Sequence, residues 1–221
     1  MPTKTFFNLK AEKKERIIHA AKSEFSRVPF QEASISRIIA DAGIPRGSFY
    51  QYFTDKADLY SYYFGLIFED LHFHLIDVIN DNDGDLFKAC RIYFSHYIDE
   101  IVDGPNKAFF KNFFLNMNLI HAENAQHHGP QVQFHGSQNL RNIRSEIIDV
   151  TDDSKLNVAN KHDIGMLFRM IVMVFFHSVA RFFISSDGET TETVNQTKEV
   201  FNRNLDWLEF GARKNKGDKN V

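Results

Sequence analysis

The residues that follow Pro45 combine chemical types that suit contact with a polyanion. Arg46 carries a guanidinium group, Gln51 an amide and Lys56 an ammonium group. A guanidinium group can bind a phosphate or a guanine edge, and a glutamine amide matches the two hydrogen-bonding groups that adenine presents in the major groove. Gly47 has no Cβ, so a helix beginning there can bring its backbone amides close to an anion. These types and spacings predict contacts to nucleic acid.

Two short helices are predicted to hold these side chains in place. Ser34 suits a helix N-cap and Gly43 a helix end, and the apolar residues between them recur at helical spacing: Ile35, Ile38, Ile39 and Ala42. Pro45 suits the first turn of a second helix, on which Phe49 and Phe53 lie four residues apart and face inward. Two short helices joined by a tight turn predict a helix-turn-helix, in which the second helix enters the major groove.

The rest of the chain is also predicted to be helical. One helix over about residues 11–26 precedes the helix-turn-helix, and others cover about residues 56–80, 85–102, 106–120, 131–149, 157–184 and 190–211, which makes about nine in all. Turn-forming Gly, Pro, Asn and Asp residues separate them. We therefore expect an all-α fold. An N-terminal three-helix helix-turn-helix domain over residues 1–55 precedes a larger helical ligand-binding and dimerisation domain over residues 56–221.

Composition limits where the protein works and with what. The chain has 221 residues, of which 43% are hydrophobic, so it can bury a full core. Its net charge is −3, but residues 1–60 carry ten basic and seven acidic residues, a small excess at the predicted DNA-facing end. The opening residues do not resemble a signal peptide, and no uncharged apolar run reaches the roughly 18–20 residues needed to span a bilayer. The single cysteine, Cys90, permits no intrachain disulfide. We expect a cytoplasmic protein with no membrane partner.

The segment from Ser34 to Tyr60 has the sequence SISRIIADAGIPRGSFYQYFTDKADLY and resembles the helix-turn-helix signature of TetR-family repressors. In that family the reading helix ends in a similar aromatic-rich run followed by a lysine, and the resemblance covers residues 10–60. It implies a homodimeric transcriptional repressor that is not an enzyme. Such a repressor binds a palindromic double-stranded DNA operator and leaves it when a small apolar or aromatic effector binds.

The resemblance also places the DNA contacts. Arg46 and Gln51 are the candidate base readers. Contacts to the DNA backbone are expected from the start of the first short helix, from the reading helix and from the residue that begins the next: Ser34, Ser36, Arg37, Gly47, Ser48, Tyr50, Tyr52 and Lys56. The resemblance alone places Tyr50 and Tyr52 on the outer face. For residues 3–5 two alternatives remain, a basic arm along the duplex and a disordered terminus.

The predicted effector pocket is lined by aromatic and sulfur-containing side chains. The chain has 23 phenylalanines, and an interior rich in phenylalanine and methionine is one way for a helical domain to enclose an apolar ligand. The family binds its inducers in such a cavity. The candidate lining residues here are His72, Phe94, Phe113, Met117, Met170, Met173 and His177.

The predicted helix over residues 157–184 is apolar nearly all round, so it must be covered on two sides. One side is expected to face the effector cavity. The other is expected to pack, with the last helix, against a second copy of the chain, as in the dimers of the family. The candidate interface residues are Phe175, Phe182, Val194, Phe201, Leu205 and Leu208. The twofold symmetry of such a dimer would match a palindromic operator.

A narrower resemblance concerns haem. The stretches from Met1 to Leu9 and from Ile44 to Phe53 are similar to a branch of the family that includes haem-responsive repressors of haem-efflux genes. In those repressors a histidine on the fourth helix ligates iron, and His72 falls in the corresponding stretch. The effector is therefore unknown, and haem on His72 is one alternative to another apolar or aromatic molecule. No other metal site is expected.

Two other classes of function are alternatives to a ligand-released regulator. A helical enzyme is disfavoured because the sequence contains no glycine-rich phosphate loop, no His-Glu-x-x-His motif and no nucleophile pair. A DNA-binding adaptor controlled by a protein partner would lack an effector cavity.

Overall fold

The structure is a computed structural model that describes residues 2–123, 145–186 and 193–212, except for the side chains of 68–73, 116–123 and 186. Within these ranges it contains helices and turns and no strand, which confirms the all-α fold. The helices are α1 (Lys4–Phe7), α2 (Ala11–Arg27), α3 (Ile35–Asp41), α4 (Arg46–Tyr52), α5 (Lys56–Asp81), α6 (Leu86–Asp103), α7 (Lys107–Glu123), α8 (residues 145–150), α9 (Lys161–Ser186) and α10 (Val194–Phe210). The predicted helix over 131–149 lies outside the described residues up to 144.

The chain divides into two compact units. The amino-terminal unit comprises Met1–His74 and Glu100–Arg144, and the carboxy-terminal unit comprises Leu75–Asp99 and Ser145–Val221. Helices α5 and α6 therefore contribute residues to both units. The predicted domain boundary after residue 55 stays a prediction.

Local hydrogen bonds set where the longer helices begin. At the start of α5 the Thr54 amide donates to the Asp58 carboxylate (3.0 Å), while the Asp58 amide donates to Asp55 Oδ1 (2.8 Å). At the start of α10, Thr193 and Gln196 form a reciprocal capping box. These bonds satisfy amides that have no partner inside the helix.

The core of the amino-terminal unit is aromatic. The ring of Tyr60 lies between Phe25, at 4.8 Å between centroids, and Phe109, at 5.6 Å. Burial raises the pKa of the Tyr60 phenol well above its usual range. The side-chain amide of Asn112 donates to the carbonyls of Phe25 and Ser26, both at 3.0 Å, and so closes the end of α2. These contacts fix α2, α5 and α7 behind the helix-turn-helix.

The carboxy-terminal unit has its own aromatic core. Phe94 stacks on Phe175 at 4.6 Å, and both rings meet the edge of Phe201, at 5.9 and 6.2 Å. The Arg91 guanidinium bridges the carboxylates of Asp206 (2.8 Å) and Glu209 (2.9 Å). Helix α10 is thus fastened to α6 by charge-assisted bonds and to α9 by rings.

Candidate DNA-reading surface and effector region

The turn between α3 and α4 is built around Gly43. Gly43 has φ +62°, a left-handed conformation that residues with a side chain seldom adopt. The next residue, Ile44, donates its amide to the Ile39 carbonyl (3.0 Å) and buries its side chain. These features end α3 and let Pro45 begin α4 at once. The predicted helix-turn-helix is therefore present in the amino-terminal unit.

Helix α4 presents one polar face and one buried face. Arg46, Gly47, Tyr50 and Gln51 are exposed, whereas Phe49 is fully buried. An added Cβ at Gly47 would meet no protein atom within 4 Å, so the start of the helix is open to a close approach from outside. The outer face of α4 therefore carries both candidate base readers.

The remaining predicted contacts fall into two groups. Ser36 and Arg37 are exposed on the first turn of α3, while Ser34, Ser48 and Lys56 are half-buried. Ser34 is the N-cap residue of α3, but its side chain makes no capping hydrogen bond. Its backbone amide instead donates to the Glu24 carboxylate of α2.

Glu24 is a buried carboxylate that the sequence analysis missed. It is 5% exposed and accepts a two-pronged bond from the Arg27 guanidinium, at 2.9 and 2.8 Å. It also accepts the Ser34 amide at 2.8 Å. A signal was present in the sequence, because Glu24 lies on the apolar stripe of α2 three residues before an arginine that can neutralise it. Glu24 therefore anchors the start of α3 to α2.

Lys56 is also engaged within the protein. Its ammonium group donates to the carbonyls of Gln31 (3.0 Å) and Ala33 (2.8 Å) and lies 4.7 Å from the Phe30 ring centroid. Partial burial lowers the pKa of Lys56, and the Glu24 carboxylate opposes that shift. The expectation of a simple phosphate clamp overlooked these internal bonds, because spacing alone does not show which carbonyls a lysine can reach.

Tyr52 is a correction to the predicted outer face. It is only 4% exposed, and its ring lies 6.3 Å from that of Phe6, with the Lys13 ammonium 5.4 Å from its centroid. Tyr50, two residues earlier, is 48% exposed. Residues two positions apart on a helix point to different faces, so Tyr50 and Tyr52 of α4 do not share the outer one. The aromatic ring of Phe6 gives Tyr52 an inward partner.

The expectation of a disordered terminus was also wrong. Helix α1 places Phe6 among the rings of Tyr52, Phe53 and Tyr62, and Phe6 is fully buried. Thr3 caps α1 by accepting the Phe6 amide. The opening residues therefore form part of the amino-terminal unit.

Two family models match the chain. The model described as bacterial regulatory proteins of the tetR family matches residues 17–63, and that of the tetracyclin repressor-like C-terminal domain matches residues 85–212. The second match alone covers more than half of the chain. The chain belongs to the TetR family. It is accordingly a ligand-responsive transcriptional regulator of a non-enzymatic family, and the resemblance seen at Ser34 to Tyr60 is confirmed.

Solved structures share the fold at low sequence identity. FadR of Bacillus subtilis in complex with stearoyl-CoA is 14% identical, with a TM-score of 0.57, over 90% of this chain and 99% of that one. FadR of Thermus thermophilus in complex with lauroyl-CoA is 16% identical, with a TM-score of 0.60, over 94% and 98%. A putative transcriptional regulator of Pseudomonas aeruginosa is 18% identical, with a TM-score of 0.59, over 94% and 95%. A comparison with curated proteins found no match.

The residues predicted to line an effector pocket belong to both compact units. Phe94 is buried in the carboxy-terminal unit and Phe113 in the amino-terminal unit, each packed against other rings. Met170, Met173 and His177 are exposed on α9, and their place in an effector pocket stays a prediction. The side chains of His72 and Met117 lie outside the described residues. The comparisons give no support to haem as the effector.

The residues predicted for the dimer interface are mostly core. Phe175, Phe182, Phe201 and Leu205 are buried within the carboxy-terminal unit, while Val194 and Leu208 are half-buried. The exposed large apolar residues of α9 and α10 are instead Met166, Met170, Met173, Ile184, Trp207 and Phe210. Helix α9 thus has one buried and one exposed apolar side, and the predicted interface residues Phe175 and Phe182 lie on the buried one. Both sides look alike in the sequence, so composition could not distinguish them.

Helix α9 is long and apolar. By length and composition alone, Lys161–Ser185 is the one candidate membrane span in the described part of the chain, with a mean hydropathy of 1.8. It contains Arg169 and Arg181, and its inner side is buried in the carboxy-terminal unit at Ile171, Phe175 and Val179. A single helix of this kind is weak evidence for a membrane span, and the family to which the chain belongs is one of soluble regulators.

Proposed function

We propose that the protein binds a palindromic operator as a homodimer and releases it when a small apolar or aromatic effector binds. The outer face of α4 carries this proposal. Arg46 and Gln51 are exposed there, and Phe49 on the opposite side is fully buried. A helix held in this way can enter the major groove with its polar face foremost. Ser36 and Arg37 on the first turn of α3 then suit the adjacent phosphates.

Operator binding can be tested without knowing the operator in advance. The protein is used to select duplexes from a random library, and affinity for the selected duplex is measured by fluorescence anisotropy over a range of salt concentrations. We expect Gln51→Ala to relax preference at particular base pairs by about 1–3 kcal/mol. Arg37→Ala should lower the affinity for all duplexes alike and reduce the slope of log affinity against log salt concentration by about one. Selection of no common sequence would contradict the proposal.

The second copy is proposed to cover the exposed apolar face of α9 and α10. Met166, Met170, Met173 and Ile184 recur at helical spacing on one side of α9, and Met173 is 71% exposed. Trp207 and Phe210 are 54% and 74% exposed near the end of α10. Because α9 and α10 pack together and Phe175 meets Phe201, an antiparallel pair sets Trp207 and Phe210 at the level of residues 169 and 166. An apolar face of this kind favours an isologous interface.

The effector is proposed to be a small apolar or aromatic molecule that reaches the protein in the cytoplasm. Two similar structures hold acyl-CoA thioesters, so lauroyl-CoA and stearoyl-CoA are the first probes. Each would be titrated into the protein bound to its selected duplex, with coenzyme A lacking an acyl chain as the matched control. Release by the thioesters but not by coenzyme A would identify the acyl chain as the recognised part. Release by neither would direct the search to other apolar compounds.

A further inference from the structure

The end of α4 is held by Thr3, a residue that precedes the region matched by the tetR family model. The helix has seven residues and ends at Tyr52, so the carbonyls of its last turn lack partners within the helix. Thr3 supplies two donors at this point. Its hydroxyl donates to the Gln51 carbonyl at 2.6 Å, and its amide donates to the Tyr52 carbonyl at 2.9 Å. The matched region begins only at residue 17.

A buried ring keeps Thr3 in this position. Phe6 is fully buried, and its ring lies 4.8 Å from Phe53 and 5.2 Å from Tyr62. Because Thr3 caps the short helix that carries Phe6, the position of the Thr3 hydroxyl follows from the burial of that ring. A helix as short as α4 has little stability of its own, so bonds at its end matter for its geometry.

We propose that Thr3 is a positioning residue for DNA recognition, which fixes the backbone of Gln51 and thereby aims that side chain at its base. This inference rests on the proposed function, because it assumes that Gln51 reads DNA. Thr3 itself need not touch the duplex. Its hydroxyl acts through the carbonyl of the same residue whose side chain makes the contact, so a loss of that bond should affect base preference more than general DNA affinity.

The test uses Thr3→Val, which removes the hydroxyl at similar shape, and Thr3→Ser, which retains it. We expect Thr3→Val to lower affinity for the selected duplex by about three- to tenfold and to flatten preference at the base pairs that Gln51→Ala also affects. Affinity for an unrelated duplex at the same salt should stay unchanged, and Thr3→Ser should remain within about twofold of the parent. In a Gln51→Ala background, Thr3→Val should cause no further loss of preference.

Hydrogen exchange on the free protein provides a readout that does not depend on DNA. Thr3→Val should speed exchange of the amides in the last turn of α4, including Phe53, whose amide donates to the Phe49 carbonyl at 2.9 Å. Unchanged exchange in Thr3→Val would overturn the proposal. So would a parental base preference, or an equal loss on selected and unrelated duplexes. If the parent protein selects no duplex, the proposed function fails, and the exchange measurement still decides whether Thr3 holds α4.

Discussion

Gly47 and Gly65 both stand in helices where an added Cβ would meet no protein atom within 4 Å. At the residue scale they nevertheless have different expected roles. Gly47 is exposed in the first turn of α4, on the face proposed to approach DNA, whereas Gly65 lies within α5. The protein therefore has room for a methyl group at both positions. Only at Gly47 is that room proposed to be needed by a phosphate.

We predict that Gly47→Ala leaves folding stability equal or higher but lowers operator affinity by about tenfold, because the methyl group keeps a phosphate from the backbone amides. The matched control is Gly65→Ala, which should raise folding stability by about 0.5–1 kcal/mol through helix propensity and leave the affinity for the selected duplex unchanged. Chemical denaturation and anisotropy provide the two measurements. Parental operator affinity in Gly47→Ala would refute a close approach at this helix start.

The side chains that point outward were easier to predict than their neighbours. Arg46 and Gln51 are exposed as their chemistry and spacing suggested. The inward side of Tyr52 and the internal bonds of Lys56 were not predicted, because their partners come from residues far away in the sequence, Phe6 for the ring and Gln31 and Ala33 for the ammonium group. Periodicity describes one helix at a time, and it contains no information about what a distant segment brings to its face.

At the scale of elements, Lys56 connects the first turn of α5 to the segment that leads into α3. The carbonyls it binds belong to Gln31 and Ala33, and the next residue, Ser34, is held by Glu24 of α2. The start of α3 is thus fixed from two helices. A loss of the ammonium group would leave two carbonyls to find other partners.

We predict that Lys56→Met lowers the free energy of unfolding by about 1–3 kcal/mol, since it removes two charge-assisted hydrogen bonds while keeping the aliphatic stem. Lys88→Met is the matched control, because Lys88 is exposed on α6. Its effect should stay within about 0.5 kcal/mol. Denaturant titration of both variants measures the difference. Equal stabilities for the two variants would show that Lys56 does not hold the segment before α3.

Most elements were predictable because their signals are local. The sequence expectation of a helix from residue 56 to 80 matches α5, which ends at Asp81, and the expected helix over 11–26 matches α2. Helix α1 was missed because four residues contain too few positions for a periodic pattern. Its stability comes from the burial of Phe6 against α4 and α5, a tertiary contact that overrides the usual disorder of a terminus.

At the scale of the whole molecule, the two apolar sides of α9 determine how the dimer should be tested. We predict that Met173→Glu yields monomers, because a charge is placed on the proposed interface. Operator affinity should fall at least about tenfold, because the helix-turn-helix of each separate protomer then binds a half-site independently. Analytical ultracentrifugation measures the oligomeric state. Ile92→Glu is the matched control, since Ile92 is 49% exposed on α6, outside the proposed face, and this variant should remain dimeric.

A charge at Phe201 or Leu205 should behave differently. Both residues are 0% exposed within the protomer, so a carboxylate there would unfold the carboxy-terminal unit instead of separating two folded copies. A stable, folded monomer of Phe201→Glu would contradict this assignment. An intact dimer of Met173→Glu would place the interface on another surface.

Effector binding and operator binding are linked in a ligand-responsive regulator. Helix α5 begins at Lys56, four residues after the end of α4, and ends at Asp81 in the carboxy-terminal unit. It is therefore a covalent link between the two units. An effector that lowers operator affinity by some factor must bind more weakly, by the same factor, to the protein on its operator. We therefore expect calorimetric titrations of an active thioester, with and without the selected duplex, to give dissociation constants that differ by the factor measured for DNA release. The unrelated duplex is the control and should leave thioester affinity unchanged at salt concentrations where it does not bind. Release of the operator with no reciprocal change in thioester affinity would mean that the compound binds the DNA or denatures the protein, because two ligands of one folded protein cannot escape that equality.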